Sequence, residues 1–347
     1  MKNSFNWPLL QVFLAIFLQT GIQARTYFVA PGGKGNGDSW EQALSSIQIA
    51  VGLASERDQI WVKTGTYFNT RGTNRKIPIF IDKPLSLFGG FAGHEKELRE
   101  RDYNQHPTEI SGEIGDRTSF EDNTFNLFFI DLQDGEILLD GIILRGGTAN
   151  ASGQAGNRES SGACIHFIAG GAWSQLRVKN CVFIDNQALY GGAIYAVSGS
   201  GCQSKLSVEN CVFQNNFAEL EGGAIHHAGL GSSVVQLDVQ YSTFTQNLAT
   251  FGGAIYHRVE AGGITSPRIS FSDFVENTAY LRGSCIYDHV EPGGTGDPMF
   301  IDCGYFNNRE TVGNGMGDSN NIRKARGNPE QVIIRPTLRT LSKRKIP

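Results

Sequence analysis

Charge is scarce in this chain of 347 residues. Asp, Glu, Lys and Arg make up 18% against 40% apolar residues, a balance that argues against a disordered or polycationic protein. Proline is sparse too, at 11, and the 43 glycines follow no Gly-X-Y period. A collagen is thereby excluded, and a fold with many tight turns is indicated. The six cysteines contain no Cys-x-x-Cys, which argues against a zinc site. The repeated middle of the chain has no helical apolar stripe, which excludes the helical solenoids. No Asp-Asp or Asp-x-Asp stands on a repeat strand, so the facing carboxylates that glycoside hydrolysis needs are not in view. Positive charge is missing from most of the chain: residues 323 to 347 hold eight Lys/Arg and one acid, leaving 22 positive against 33 negative charges before them. A body of net charge -11 is a poor nucleic-acid binder.

Residues 1 to 24 read as a signal peptide. Lys2 gives a basic start, Leu9 to Leu18 form an apolar run broken only by Gln11, and Ile22-Gln23-Ala24 ends in a small residue, which places cleavage after Ala24. Asn6, Pro8, Gln11 and Gln19 shorten the run below the roughly 20 apolar residues of a membrane span. An exported protein follows, secreted or held at the cell surface or outer membrane, with no transmembrane segment in the mature chain.

Self-similarity sets the fold class. Leu176 to Ala188 followed by Gly191-Gly-Ala-Ile-Tyr195 returns three times, with Phe183, Phe213, Phe244 and Phe274 in one position and Asn186, Asn216, Asn247 and Asn277 in another. The steps between the phenylalanines are 30, 31 and 30 residues. A fixed period of that size means a stacked architecture, and each unit alternates short β-branched stretches with Gly, Asn and Ser turns. One unit is therefore one coil of an all-β solenoid, a right-handed parallel β-helix with coils about 4.8 Å apart. The phenylalanines become an internal ladder and the asparagines a turn ladder whose amides bond the neighbouring coils. A degenerate copy begins at Ile137, so clear repeats run from 137 to 289 within a domain spanning 25–310. Ser39-Trp-Glu-Gln42 reads as a capping box opening an N-terminal capping helix over about 39–55. Residues 94–107 and 115–123 read as polar loops thrown outward. Residues 311–347 read as a Gly/Asn-rich segment and a disordered basic tail, suited to contact with an anionic surface.

The Phe-x-x-Asn and Gly-Gly-Ala-Ile tetrapeptides resemble the repeats of chlamydial polymorphic outer-membrane proteins. The opening stretch, Tyr27-Phe-Val-Ala-Pro-Gly-Gly through Asp58-Gln-Ile-Trp-Val-Lys-Thr-Gly-Thr-Tyr67 and Phe88-Gly-Gly-Phe-Ala-Gly93, is similar to surface β-helix proteins of the pectate-lyase-like superfamily. The resemblance implies a parallel β-helix at the cell surface or secreted; it implies no single reaction.

Two groups of residues are candidates for function. His166, Tyr195, His226, Tyr256 and Tyr287 follow Gly-Gly-Ala-Ile or its variants in successive coils, and alternation turns them outward as a row of rings, either a stabilising ladder under a loop or a stripe on which a polysaccharide or cell-surface glycan can stack. His166 and His226 would then add attraction to an acidic glycan as they protonate between about pH 5 and 8. Beside them lie His227, His257, Arg258, Asp288 and His289, the densest titratable group. A polysaccharide lyase needs a cation to neutralise a uronate carboxylate and a base to take the adjacent proton, and Arg258 with a neighbouring His or Asp is the weak candidate for that pair. Asp116, Glu121 and Asp122 are a possible Ca²⁺ loop without EF-hand spacing; no other cofactor is expected. Cys181 and Cys211 share a repeat position and read as buried thiols, with a disulfide between these neighbours as the alternative in an exported protein. The favoured reading is a non-catalytic glycan-binding or adhesin-like module, with the lyase as alternative.

Overall fold

The structure is a computed structural model and describes residues 24–116, 119–311 and, for the backbone alone, 322–325. The leader lies outside the described residues, as does the segment 311–347 read as a disordered tail, apart from residue 311 and the strand Ile322–Ala325, which pairs with the stack. Among those described, no helix is long and apolar enough to cross a membrane.

The described strands pair in parallel and stack coil upon coil, forming a parallel β-solenoid. One sheet has two arms, because the long strands Phe128–Asp140 and Ile165–Lys179 serve both, with a shift of register between Ala169 and Trp173. The first arm stacks Ile79–Ile81, the leading halves of those two strands, and then Ile194–Ser198, Ile225–Gly229, Ile255–Val259, Ile286–Val290 and Ile322–Ala325. The second arm begins with Thr26–Val29, Gln59–Lys63 and Leu85–Phe91 and continues through Gln203–Glu209 and Val234–Gln240. A second sheet of eight strands runs from Gly65–Phe68 to Gly304–Phe306, and a third of six runs from Thr148–Ala149 to Arg309–Glu310. The third wall thus starts later along the chain than the other two.

The ladders form as the 30-residue period requires. Phe183, Phe213, Phe244 and Phe274 are fully buried, with ring centroids 4.5, 4.7 and 4.9 Å apart and planes within 6° of parallel. Tyr305 extends the column at 5.5 Å; towards the N-terminus its positions are Leu144, Ile110 and Tyr67. In the turn ladder, Asn186 Nδ2 donates to Asn216 Oδ1 at 2.9 Å, and the chain of amides continues through Asn247 and Asn277 to Asn308 at 2.9 to 3.0 Å. Each of these amides also donates back to the carbonyl of the residue one coil earlier, such as Asn216 to Phe183 at 3.0 Å. Buried amides are satisfied only because a copy lies above and below. Gly191, with φ of 63°, turns the chain into the first arm where a Cβ would lie 2.2 Å from the Ile194 carbonyl oxygen. No side chain fits there.

Cys181, Cys211 and Cys303 share a column with Ser242 and Ser272, and all five side chains bond the carbonyl two residues back. All six cysteines are free thiols.

The N-terminal region departs from its sequence reading in two places. The helix is Ile47–Leu53, seven residues, with Ile47, Ala50 and Val51 buried against the first strands, and Ser46 precedes it without a side-chain cap. Residues 39–42 bend and turn, and Leu44 bridges Val29: Leu44 N–H donates to Phe28 O, Ala30 N–H to Leu44 O, and Gly37 N–H to Gln42 O. Those bonds hold 42–44 extended beside Thr26–Val29, so tertiary pairing overrides the capping box. Ser39 Oγ instead accepts the Gln42 N–H at 3.3 Å inside a turn. Residues 94–107 lie on the solenoid instead of standing away from it. Arg101 pairs with Asp140 at 2.6 Å, both side chains largely buried, and donates to Gly89 O.

Candidate functional site

The candidate rings occupy one column. His166, Tyr195, His226, Tyr256 and Tyr287 pair in register on successive strands, with centroid spacings of 5.1, 4.8, 5.0 and 5.6 Å. The neighbouring Ile194 and Ala196 belong to the main core, so the rings project from the opposite face of the sheet. Two further members are Phe129, 5.7 Å from His166, and Phe80 beyond it at 5.4 Å. They were legible as outward positions in Ile79-Phe80-Ile81 and Phe128-Phe129-Ile130. Without the Gly-Gly-Ala-Ile preamble, the repeat pattern does not flag them.

The column is not an open stripe. From His166 to Tyr287 every ring is at most 8% exposed, and each lies nearly parallel to the next, so the ring faces are occupied by one another and only edges point outward. A sugar needs a free face to stack on. Residues of the 150–162 insertion cover one end: Ser161 O meets His166 Nδ1 at 3.1 Å, Gly156 lies against the Tyr195 hydroxyl, and Arg158 sits 5.4 Å over Phe129. Third-wall residues cover the middle, where Tyr190 stands edge-on to His226 at 6.1 Å and Phe251 lies 5.6 Å from Tyr287.

Burial also removes the expected histidine switch. Desolvation holds His166 down at about 4 and His226 at about 3, so both stay neutral between pH 5 and 8. His226 Nδ1 lies 3.4 Å from Glu221 Oε2 but lacks hydrogen-bond geometry; with a neutral imidazole this contact is no ion pair. Glu221 is itself raised by burial. It was missed in the sequence because the same position is Tyr190 and Phe251 in the adjacent coils.

The titratable group divides between two faces. His227, His257 and Asp288 are in register with Ala196 and lie inside the solenoid, each at most 2% exposed. His227 Nδ1 and His257 Nδ1 are 3.0 Å apart, and His257 Nε2 meets Thr265 Oγ1 at 2.7 Å and lies 4.0 Å from Asp288 Oδ1. Two nitrogens that close need one donor and one acceptor. Desolvation lowers His227 to about 4 and His257 well below its ordinary value. Arg258 and His289, the next residues along, face outward. Arg258 pairs with Glu291 and Glu260, while His289 Nδ1 lies 3.2 Å from the Tyr256 hydroxyl. Arg258 therefore cannot act together with His257 or Asp288, because strand alternation sets them on opposite sides of the wall.

In the acidic loop, Asp122 accepts the Asp116 backbone N–H at 2.7 Å. Among the described residues, no group of three or more His, Cys, Asp or Glu is arranged to hold a metal.

Three segments, 180–197, 210–228 and 241–258, match the Chlamydia polymorphic membrane protein repeat. Each runs from a left-handed turn residue, Asn180, Asn210 or Tyr241, through the Phe and Asn ladders to the ring column. No curated protein and no solved structure matches the chain. Repeats of this kind point to a surface or outer-membrane protein. With those segments lying as successive coils of one parallel stack, the chain is a β-helix repeat protein with repeats of the polymorphic membrane protein type.

Proposed function

We propose that the chain is a non-catalytic module, displayed at the cell surface or secreted, that binds a glycan or another surface partner. The observation supporting this reading is how the titratable side chains are engaged: Arg258 is bound to two carboxylates, His227 and His257 are turned towards each other inside the solenoid, and the ring histidines are neutral by burial. A lyase needs a free cation and an accessible base at one substrate carbon. In this reading the buried column from His166 to Tyr287 is a rigid spine that stiffens the wall, and contacts with the partner are made elsewhere on the solenoid surface.

One observation favours the lyase alternative. Tyr256, His289 and Arg258 converge on the outward side, where a phenol and an imidazole sit in hydrogen-bond contact beside a guanidinium. Incubating the chain with uronate polymers and Ca²⁺ separates the two readings. Retention of a polymer with no rise in the ultraviolet absorbance of unsaturated product is the expected result; release of that product overturns the non-catalytic reading.

A further inference from the structure

The first two coils contribute no strand to the third wall, whose first member is Thr148–Ala149. Where that wall is missing, a cavity of about 650 Å³ opens at the N-terminal end, within the 300 to 1,000 Å³ range of ligand sites. Its floor is core: Tyr67, Ile110, Ile79 and Ile47. Its sides are rich in hydroxyl and amide groups, from Ser45, Ser46, Thr66, Thr70 and Gln48.

The charge of this cavity runs against that of the chain. Lys34 and Arg71 line it, both are exposed, and no acidic residue lines it, although the chain as a whole carries a net charge of -4. The other exposed feature is Phe68, 44% accessible at the cavity wall and stacked on no other ring among the described residues. It offers the free face that the ring column lacks. Asn69, 5% exposed, also lines the cavity; its Nδ2 serves three carbonyls and its Oδ1 meets no donor.

We propose that this cleft binds an acidic saccharide, with its charged group at Lys34 and Arg71, its hydroxyls on the polar sides and a sugar face against Phe68. The combination is selective by chemistry. Cations attract the acid, hydroxyls and amides exchange hydrogen bonds with a polyol, and an aromatic face covers the apolar C–H side of a pyranose. This inference rests on the binding reading above and gives it a place away from the ring column. A uronate carboxylate and a sugar sulfate present the same anionic chemistry here.

Calorimetric titration of the full chain tests it with four probes: trigalacturonate, a sulfated galactose trisaccharide, uncharged galactotriose and sodium sulfate alone. Both acidic saccharides should bind, more weakly as salt rises, and galactotriose at least tenfold more weakly; the tighter of the acidic pair identifies the charged group. Lys34→Glu with Arg71→Glu should lower affinity tenfold or more, and Phe68→Ala about fivefold. Arg268→Glu, the same kind of charge reversal at one exposed residue of a later coil, should leave binding unchanged. The site is overturned if the double variant, folded by circular dichroism, binds as the wild type does, or if sodium sulfate alone matches the saccharides. Glycan retention insensitive to the double variant would remove the cleft and keep the binding reading, whereas no retention of any glycan removes the cleft and the glycan part of that reading together.

Discussion

The coils after residue 164 and those before residue 148 are built on one plan and have opposite consequences. In the later coils identical residues recur, so along the Phe and Asn columns rings meet rings and amides meet amides. In the earlier coils the column of phenylalanines becomes Tyr67, Ile110 and Leu144, the third wall is missing from the first two turns, and a cleft with an unstacked ring remains. Repetition occupies ring faces and amides with one another; where the repeat is broken, Phe68 is left without a stacked neighbour among the described residues.

Acid should break this comparison most strongly. His166, His226 and His227 have folded values of about 4, 3 and 4, below the unfolded value near 6.5. The unfolded chain takes up protons first, so their contribution is complete above pH 6.5 and is lost as pH falls towards 4, by about 3 kcal/mol for each histidine. All three lie in the regular coils. Hydrogen exchange at pH 4.5 should show the strands from Ile194 to Val259 losing protection before those from Gln59 to Phe91; the reverse order would contradict the assignment.

Phe213→Ala should cost about 3 to 5 kcal/mol in urea unfolding, because the cavity is walled by two parallel rings that cannot collapse into it. Ile110→Ala, in the same column of the irregular half, should cost about 1 kcal/mol less, having no ring stack to lose. Equal losses would show that the ladder adds nothing beyond apolar burial. Asn216→Ala should follow at about 2 kcal/mol, since it strands buried partners at Asn186 and Asn247. The smallest change is expected at Tyr241→Asn. Tyr241 and Phe271 hold left-handed backbone, φ of 51° and 50°, where other coils carry Asn180, Asn210 and Asp302. Relief of that strain offsets the loss of a 5.1 Å ring stack, leaving the unfolding free energy from urea denaturation changed by less than about 1 kcal/mol.

The Phe and Asn ladders were legible because the period of 30 or 31 residues fixes register, and register fixes who touches whom. Which face the rings use was legible by alternation as well. The same rule sends His227 and His257 inward, and what obscures this is chemistry: imidazole is seldom read as core. What covers the rings was not legible. Residues 150–162 fold onto His166 and Tyr195 through contacts with Ser161 and Gly156 that have no counterpart in the other coils. The cleft was hidden for a related reason, because a missing strand leaves no mark in a repeat count. The short helix was misplaced because Ser39 and Gln42 satisfy a capping pattern while the backbone beside them is claimed by the first strand.

The register of the Asn ladder has a consequence for the evolution of the molecule. Asn186 bonds Asn216 in the way Asn216 bonds Asn247, so each regular coil meets its neighbours through the same surfaces. Deleting residues 214–244 would set Phe213 beside Phe274 and Asn186 beside Asn247, shortening the stack by about 4.8 Å and exposing no new edge. Molecular length is thereby an inheritable variable, and unequal recombination between regular coils can change how far the two ends stand apart while each end keeps its own structure.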